Sequence, residues 1–137
     1  MMTPELHVLV LAALLQVLQM ALMAVPANIE LGTKKTLSPR DLHRLGGSLE
    51  SQVSVRTARS IRAMNNHFEG LLLFAIAVMA VTLSAKSTLV TEACAWIYLV
   101  ARIIYVPAYV FGWVPWRSIV WFAGFLSTVV ILLSVLF

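Results

Sequence analysis

Four apolar stretches, each long enough to cross a bilayer as a helix, dominate this chain of 137 residues and leave it few ways to fold. They cover residues 6–25, 62–84, 93–111 and 117–137. Inside hydrocarbon every backbone amide must find a partner within the protein, which a helix provides and an open strand does not. The pattern therefore predicts an all-α integral membrane protein. It is a four-helix bundle forming one four-span domain over residues 1–137, with a polar loop at 27–55. The first run lacks a basic start, carries Glu5 as its only early charge, and is longer than a secretion signal's core. It reads as a retained span.

Loop charge sets the orientation. Seven of the ten Lys and Arg residues (Lys34, Lys35, Arg40, Arg44, Arg56, Arg59 and Arg62) lie between positions 34 and 62, while the next turn has only Lys86. The positive-inside rule puts the basic loop in the cytoplasm and both termini on the opposite side. The net charge of +4 thus belongs to one segment, and it comes without the base-reading or stacking groups of a nucleic-acid surface. A single cysteine, Cys94, excludes an internal disulfide, and no His/Cys/Asp/Glu cluster has metal-ligand spacing. Within the loop, Ser38-Pro39 reads as a helix start and Gly46-Gly47 as its stop. Ser48 reads as the cap of a further helix running unbroken through residue 84.

That helix carries polar groups into the apolar zone. Arg59, Arg62, Asn66 and Glu69 fall within about 80° of one another on a helical wheel. On the third span Tyr98, Arg102, Tyr105 and Tyr109 fall within about 60°. Arg102 sits about ten residues from its helix's loop-side end, or roughly 15 Å deep. Facing lipid there would cost at least about 2.5–3.5 kcal/mol. Glu69 is the only acid within the four runs, so the depth argument pairs Glu69 with Arg102. Arg62, Asn66 and Tyr109 have no evident internal partners, which points to a ligand. Arginines suit carboxylates, a glutamate suits an ammonium, and a nearby arginine favours a thiolate. A small, multiply charged, zwitterionic anion fits such a lining, and a thiol guest would be activated there.

"RSIRAMNNHFE" before an apolar run, then "ARIIYVPAY" with "PWRS" soon after, resembles the MAPEG family, membrane-associated proteins in eicosanoid and glutathione metabolism. The specific matches are Arg59, Arg62, Ala63, Asn66 and Glu69 on one line, Ala101, Arg102, Tyr105 and Tyr109 on the next, and Arg117-Ser118 opening the last helix. The resemblance implies a homotrimer of four-helix bundles binding glutathione as co-substrate between neighbouring subunits, without a metal. It implies that Arg59, Arg62, Asn66, Glu69, Tyr105, Tyr109 and Ser118 bind the tripeptide and that Arg117 is catalytic, stabilising the thiolate. Glu69 with Arg102 would be a supporting structural pair. The chain departs from some relatives at Asn65, at the loop-side end of the first helix (Pro26, Asn28 and Glu30 where others have arginine), and at Trp121. These departures make the site less basic.

Two functional classes fit. One is a membrane-bound glutathione-dependent transferase or peroxidase-like enzyme acting on lipophilic electrophiles that arrive from the bilayer. The other is a non-catalytic accessory or structural subunit of a larger membrane complex. Gln16 and Gln19 read as bonds to a neighbouring helix, and His67 points about 100° from Asn66, outside the site.

Overall fold

The computed structural model describes residues 2–137, all of whose regular structure is helical. In chain order the helices are α1 (Pro4–Leu31), α2 (Thr33–Thr36), α3 (Leu42–Leu45), α4 (Leu49–Gln52), α5 (Val55–Leu83), α6 (Leu89–Val110) and α7 (Trp116–Leu136). The four long ones are apolar and long enough to span a membrane, and together they form an integral membrane bundle. Helices α5 and α6 pack on each other and on both α1 and α7, which form the flanks. The core is aliphatic and small-residue rich: Val8 and Ala12 from α1, Ala77, Val78 and Val81 from α5, Ala95 and Leu99 from α6, and Ile131 from α7. Phe74 and Tyr98 stack across it with ring centroids 3.8 Å apart.

Several boundaries differ from the sequence expectation. Helix α1 does not end at Val25 but continues through Pro26 to Leu31, where Gly32 takes φ 81°. Glu30 explains the extension. Its carboxylate accepts from the Ser54 backbone N–H at 2.5 Å, the Ser54 hydroxyl at 2.9 Å and the Thr57 hydroxyl at 2.6 Å. An anion at the first turn of α5 also meets the positive end of that helix dipole. The same contact breaks the helix expected to run from Ser48: Ser48 caps only α4, Val53 is extended, and Ser54 caps α5. Asp41, not Ser38, occupies the N-cap of α3, while the Ser38 hydroxyl closes α2 by donating to the Lys35 carbonyl at 2.7 Å. Gly46 ends α3 with φ 78°, as its position suggested.

The opposite end is held by an acid that the sequence leaves looking idle. Glu5 is fully buried. It accepts from the Ser87 hydroxyl at 2.9 and 3.0 Å and from the Thr91 hydroxyl at 2.5 Å. Thr91 also completes a capping box with Thr88, so one carboxylate joins the start of α1 to the start of α6.

Candidate functional site

The candidate site lies on the loop-end half of the bundle, where α5, α6 and α7 meet. Asn66, Tyr105, Tyr109, Arg117, Ser118 and Trp121 line one cavity of about 350 Å³. Asn66 and Trp121 also border an adjoining cavity of about 140 Å³, with Glu69, Gly70, Leu73, Arg102 and Phe125. Five of the residues expected to bind or act on a ligand (Asn66, Tyr105, Tyr109, Arg117 and Ser118) thus share one wall. Glu69 reaches the adjoining space.

Arg117 stands at the start of α7 with its guanidinium carbon 5.0 Å from the Tyr109 ring centre. Tyr109 in turn lies 5.5 Å from Tyr105, ring centre to ring centre. Among the described residues no carboxylate comes within 4.0 Å of Arg117; the one ion pair found there joins Arg62 to Glu50. Arg117 is held by an aromatic face and keeps its donors for something else.

Arg102 is spent differently. It is 3% exposed, lies between the rings of Tyr98 and Tyr105 at 5.2 and 5.7 Å, and donates from Nη1 to Asn66 Oδ1 at 3.2 Å. The expected ion pair with Glu69 is not formed among the described residues. The reason is a matter of helix rows. Asn66 and Gly70 are four apart and form one ridge, and Arg102 lies along that ridge, so that a Cβ on Gly70 would overlap its guanidinium. Glu69 sits about 60° to one side of Asn66 and is exposed in the single chain.

Two expected ligand residues are engaged within the chain, Arg62 lying against Tyr109 of the cavity wall as well as Glu50. Arg59 donates to the Val110 carbonyl at 3.3 Å, capping the end of α6, and fills the space beside Gly112. Arg62 pairs with Glu50 of α4 at 3.2 Å, both side chains being well exposed (43% and 37%). The sequence offered no partner for Arg62 because Glu50 lies twelve residues back, beyond the break at Val53. Gly70 is an addition, and Trp121, noted in the sequence as a departure from relatives, lies on the wall of both cavities. Gly70 was findable, since it falls on the same wheel sector as Arg59 and Asn66 and a side-chain-free position there leaves room for a facing arginine.

Behind the site, on the α1 side, His67 is fully buried and its Nδ1 lies 2.7 Å from Gln19 Nε2. Gln16 donates to the Met64 carbonyl at 3.4 Å. Both glutamines bond across helices, as their place in the first span suggested, and His67 faces away from the cavity.

Residues 8–137 match the family model described as the MAPEG family. No curated protein matches the chain.

Proposed function

Because the chain belongs to the MAPEG family, we propose that it is a membrane-bound glutathione-dependent enzyme that transfers the thiol to lipophilic electrophiles, or reduces them, at the α5–α6–α7 cavity. The observation that carries this reading is Arg117: a guanidinium on the cavity wall, braced by Tyr109 and without an acid of its own among the described residues. A lining of one free cation, an amide, two phenols and, next door, a carboxylate suits a zwitterionic tripeptide thiol. Glutathione, when bound, supplies the sulfur nucleophile.

Arg117 favours the ionised form of that sulfur by direct charge attraction. The proton leaves to water, a carbon–sulfur bond forms, and the electrophile's leaving group departs. Asn66 and Ser118 supply orienting hydrogen bonds, and Glu69 is the counter-charge for an ammonium. Arg62 can join them, since an exposed pair such as Arg62–Glu50 is worth only about 0–1 kcal/mol and gives way to a ligand carboxylate. Trp121 and Phe125 form an apolar wall where a bilayer-soluble electrophile can arrive. On this reading the basic loop and the site face the cytoplasm, supported by the clustering of basic residues between 34 and 62, and the working unit is a homotrimer.

The test is conjugation of 1-chloro-2,4-dinitrobenzene with glutathione by purified protein, wild type against Arg117→Ala. The variant should bind glutathione modestly more weakly while turnover falls far more, the pattern of an interaction made mainly in the transition state. Equal rates would remove Arg117 from the mechanism. A second reading, a non-catalytic subunit of a larger membrane complex, is favoured by the engagement of Arg59 and Arg62 within the chain. No rate above the uncatalysed reaction, across a panel of electrophiles at saturating thiol, would select it.

A further inference from the structure

The loop between α1 and α5 holds its cations in one built segment. Asn28, in the last turn of α1, donates to the Ala24 carbonyl at 2.8 Å and accepts from the Thr36 hydroxyl, so α2 is folded back against the helix it follows. Thr36 is buried in that contact. Gln52 of α4 then ties α2 to α3: its carboxamide accepts from Lys35 Nζ at 2.8 Å and donates to the Leu45 carbonyl. Asn28 is three residues beyond Val25, where the first apolar run ends, or about 4.5 Å along the helix axis. The polar layer of a bilayer is about 5–7 Å thick on each side. Held at the level of Asn28, α2 lies at headgroup depth rather than clear of the membrane.

This segment presents cations and apolar side chains together. Lys34, Lys35, Arg40 and Arg44 are exposed, and none of them forms an ion pair among the described residues. Asp41 is the one acid among them. The acids on either side are engaged, Glu30 by Ser54 and Thr57 and Glu50 by Arg62. Arg40 and Arg44 border one depression of about 580 Å³, with Asp41, Leu42 and His43. Leu37 and Leu42 stand among these charges 84% and 65% exposed, whereas Leu45, on the same short helix as Leu42, is buried. Unpaired cations beside exposed leucines, at headgroup depth, match the boundary of a bilayer, where phosphates lie next to acyl chains.

We propose that the α2–α3 segment docks on the leaflet at the loop end of the bundle and recognises anionic phospholipid. The lysines and arginines take headgroup phosphates, and Leu37 and Leu42 enter the boundary with the acyl chains. Charge decides which lipid is preferred. A zwitterionic leaflet offers the leucines the same apolar boundary but no net attraction for the cations. Each lysine or arginine near an anionic surface is worth about fivefold in the docking equilibrium, and four of them face Asp41 alone. A nucleic acid or an acidic protein would meet the cations but has no use for leucines at this depth. The docking is independent of the Arg117 site and holds whether or not the protein is an enzyme.

The experiment places an environment-sensitive fluorophore at Leu37→Cys, and separately at Leu42→Cys, in the full-length protein with its single native cysteine removed by Cys94→Ala. The labelled protein is reconstituted in nanodiscs of phosphatidylcholine, alone or with one third phosphatidylglycerol. With phosphatidylglycerol, emission should shift to the blue and be quenched by a lipid that carries a nitroxide just below its headgroup. Both effects should be smaller in phosphatidylcholine alone. Raising NaCl to about 1 M, which cuts the screening length to about 3 Å, should reverse them. So should Lys34→Gln, Lys35→Gln, Arg40→Gln and Arg44→Gln combined, with circular dichroism unchanged. The dye is the same in both proteins, so its own affinity for lipid cancels. Water-like emission in the acidic nanodiscs would overturn the proposal. So would quenching that ignores lipid charge, salt and the four substitutions, which would make the contact apolar only. A blue shift without quenching would place the leucines against protein, such as a neighbouring copy, and a shift seen only on adding RNA or a soluble acidic protein would assign the cations to that partner; either result overturns lipid docking.

Discussion

Arg102 shows what a single charge demands of its surroundings inside a bilayer bundle. It is offered two tyrosine faces, one amide oxygen and a glycine to lie against, and no acid. The side chain is 3% exposed and the Nε atom has no partner, so Asn66 supplies its one hydrogen bond among the described residues. Gly70→Ala should therefore act through Arg102. The added methyl forces the guanidinium off Asn66, and overpacking of this sort costs about 1–3 kcal/mol. The measure is the thermal midpoint in mild detergent. A double-mutant cycle with Arg102→Met should show the pair costing less than the sum of the two single changes, because the clash needs both side chains. Simple additivity would mean that Gly70 serves backbone packing alone.

Among the elements, the two ends of the bundle are tied by carboxylates that accept from hydroxyls. Glu30 joins α1 to the first turn of α5 and thereby sets both the length of α1 and the break between α4 and α5. Glu5 joins α1 to α6 through Ser87 and Thr91. Thr91→Val keeps the shape and removes the hydroxyl that reaches Glu5, along with its half of the capping box. We expect a loss of about 1.5–3 kcal/mol, the range for hydrogen bonds to charged groups, seen as a lower unfolding midpoint in detergent. An unchanged midpoint would show that Glu5 is held well enough by Ser87 alone.

For the molecule as a whole, the polar groove is open along one flank of the bundle. Glu69 lies exposed within α5, a membrane-capable helix, and an unpaired acid facing hydrocarbon is costly. In the proposed trimer a neighbouring copy would cover that flank. Crosslinking in mild detergent should give trimers as the largest species. Only monomers and dimers would count against this arrangement.

The helical class, the membrane setting and the place of the polar lines could all be read from residue order. Hydropathy and the 3.6-residue period are local properties that survive without knowledge of neighbours. The same period put Asn66, Tyr105 and Tyr109 on the polar lines, the family resemblance added Arg117 and Ser118, and these five do share a cavity. Partner choice was not legible. Whether Arg102 meets Glu69 or Asn66 depends on a rotation of about 60° between rows of one helix, and on the gap left by Gly70. Whether Arg62 is free or held by Glu50, and where α1 stops, depends on Glu30 reaching across to Ser54. These are contacts between segments distant in sequence, decided by how the helices lean and slide against one another when their side chains interlock. No single segment contains that information, because it arises only when all four long helices are packed together.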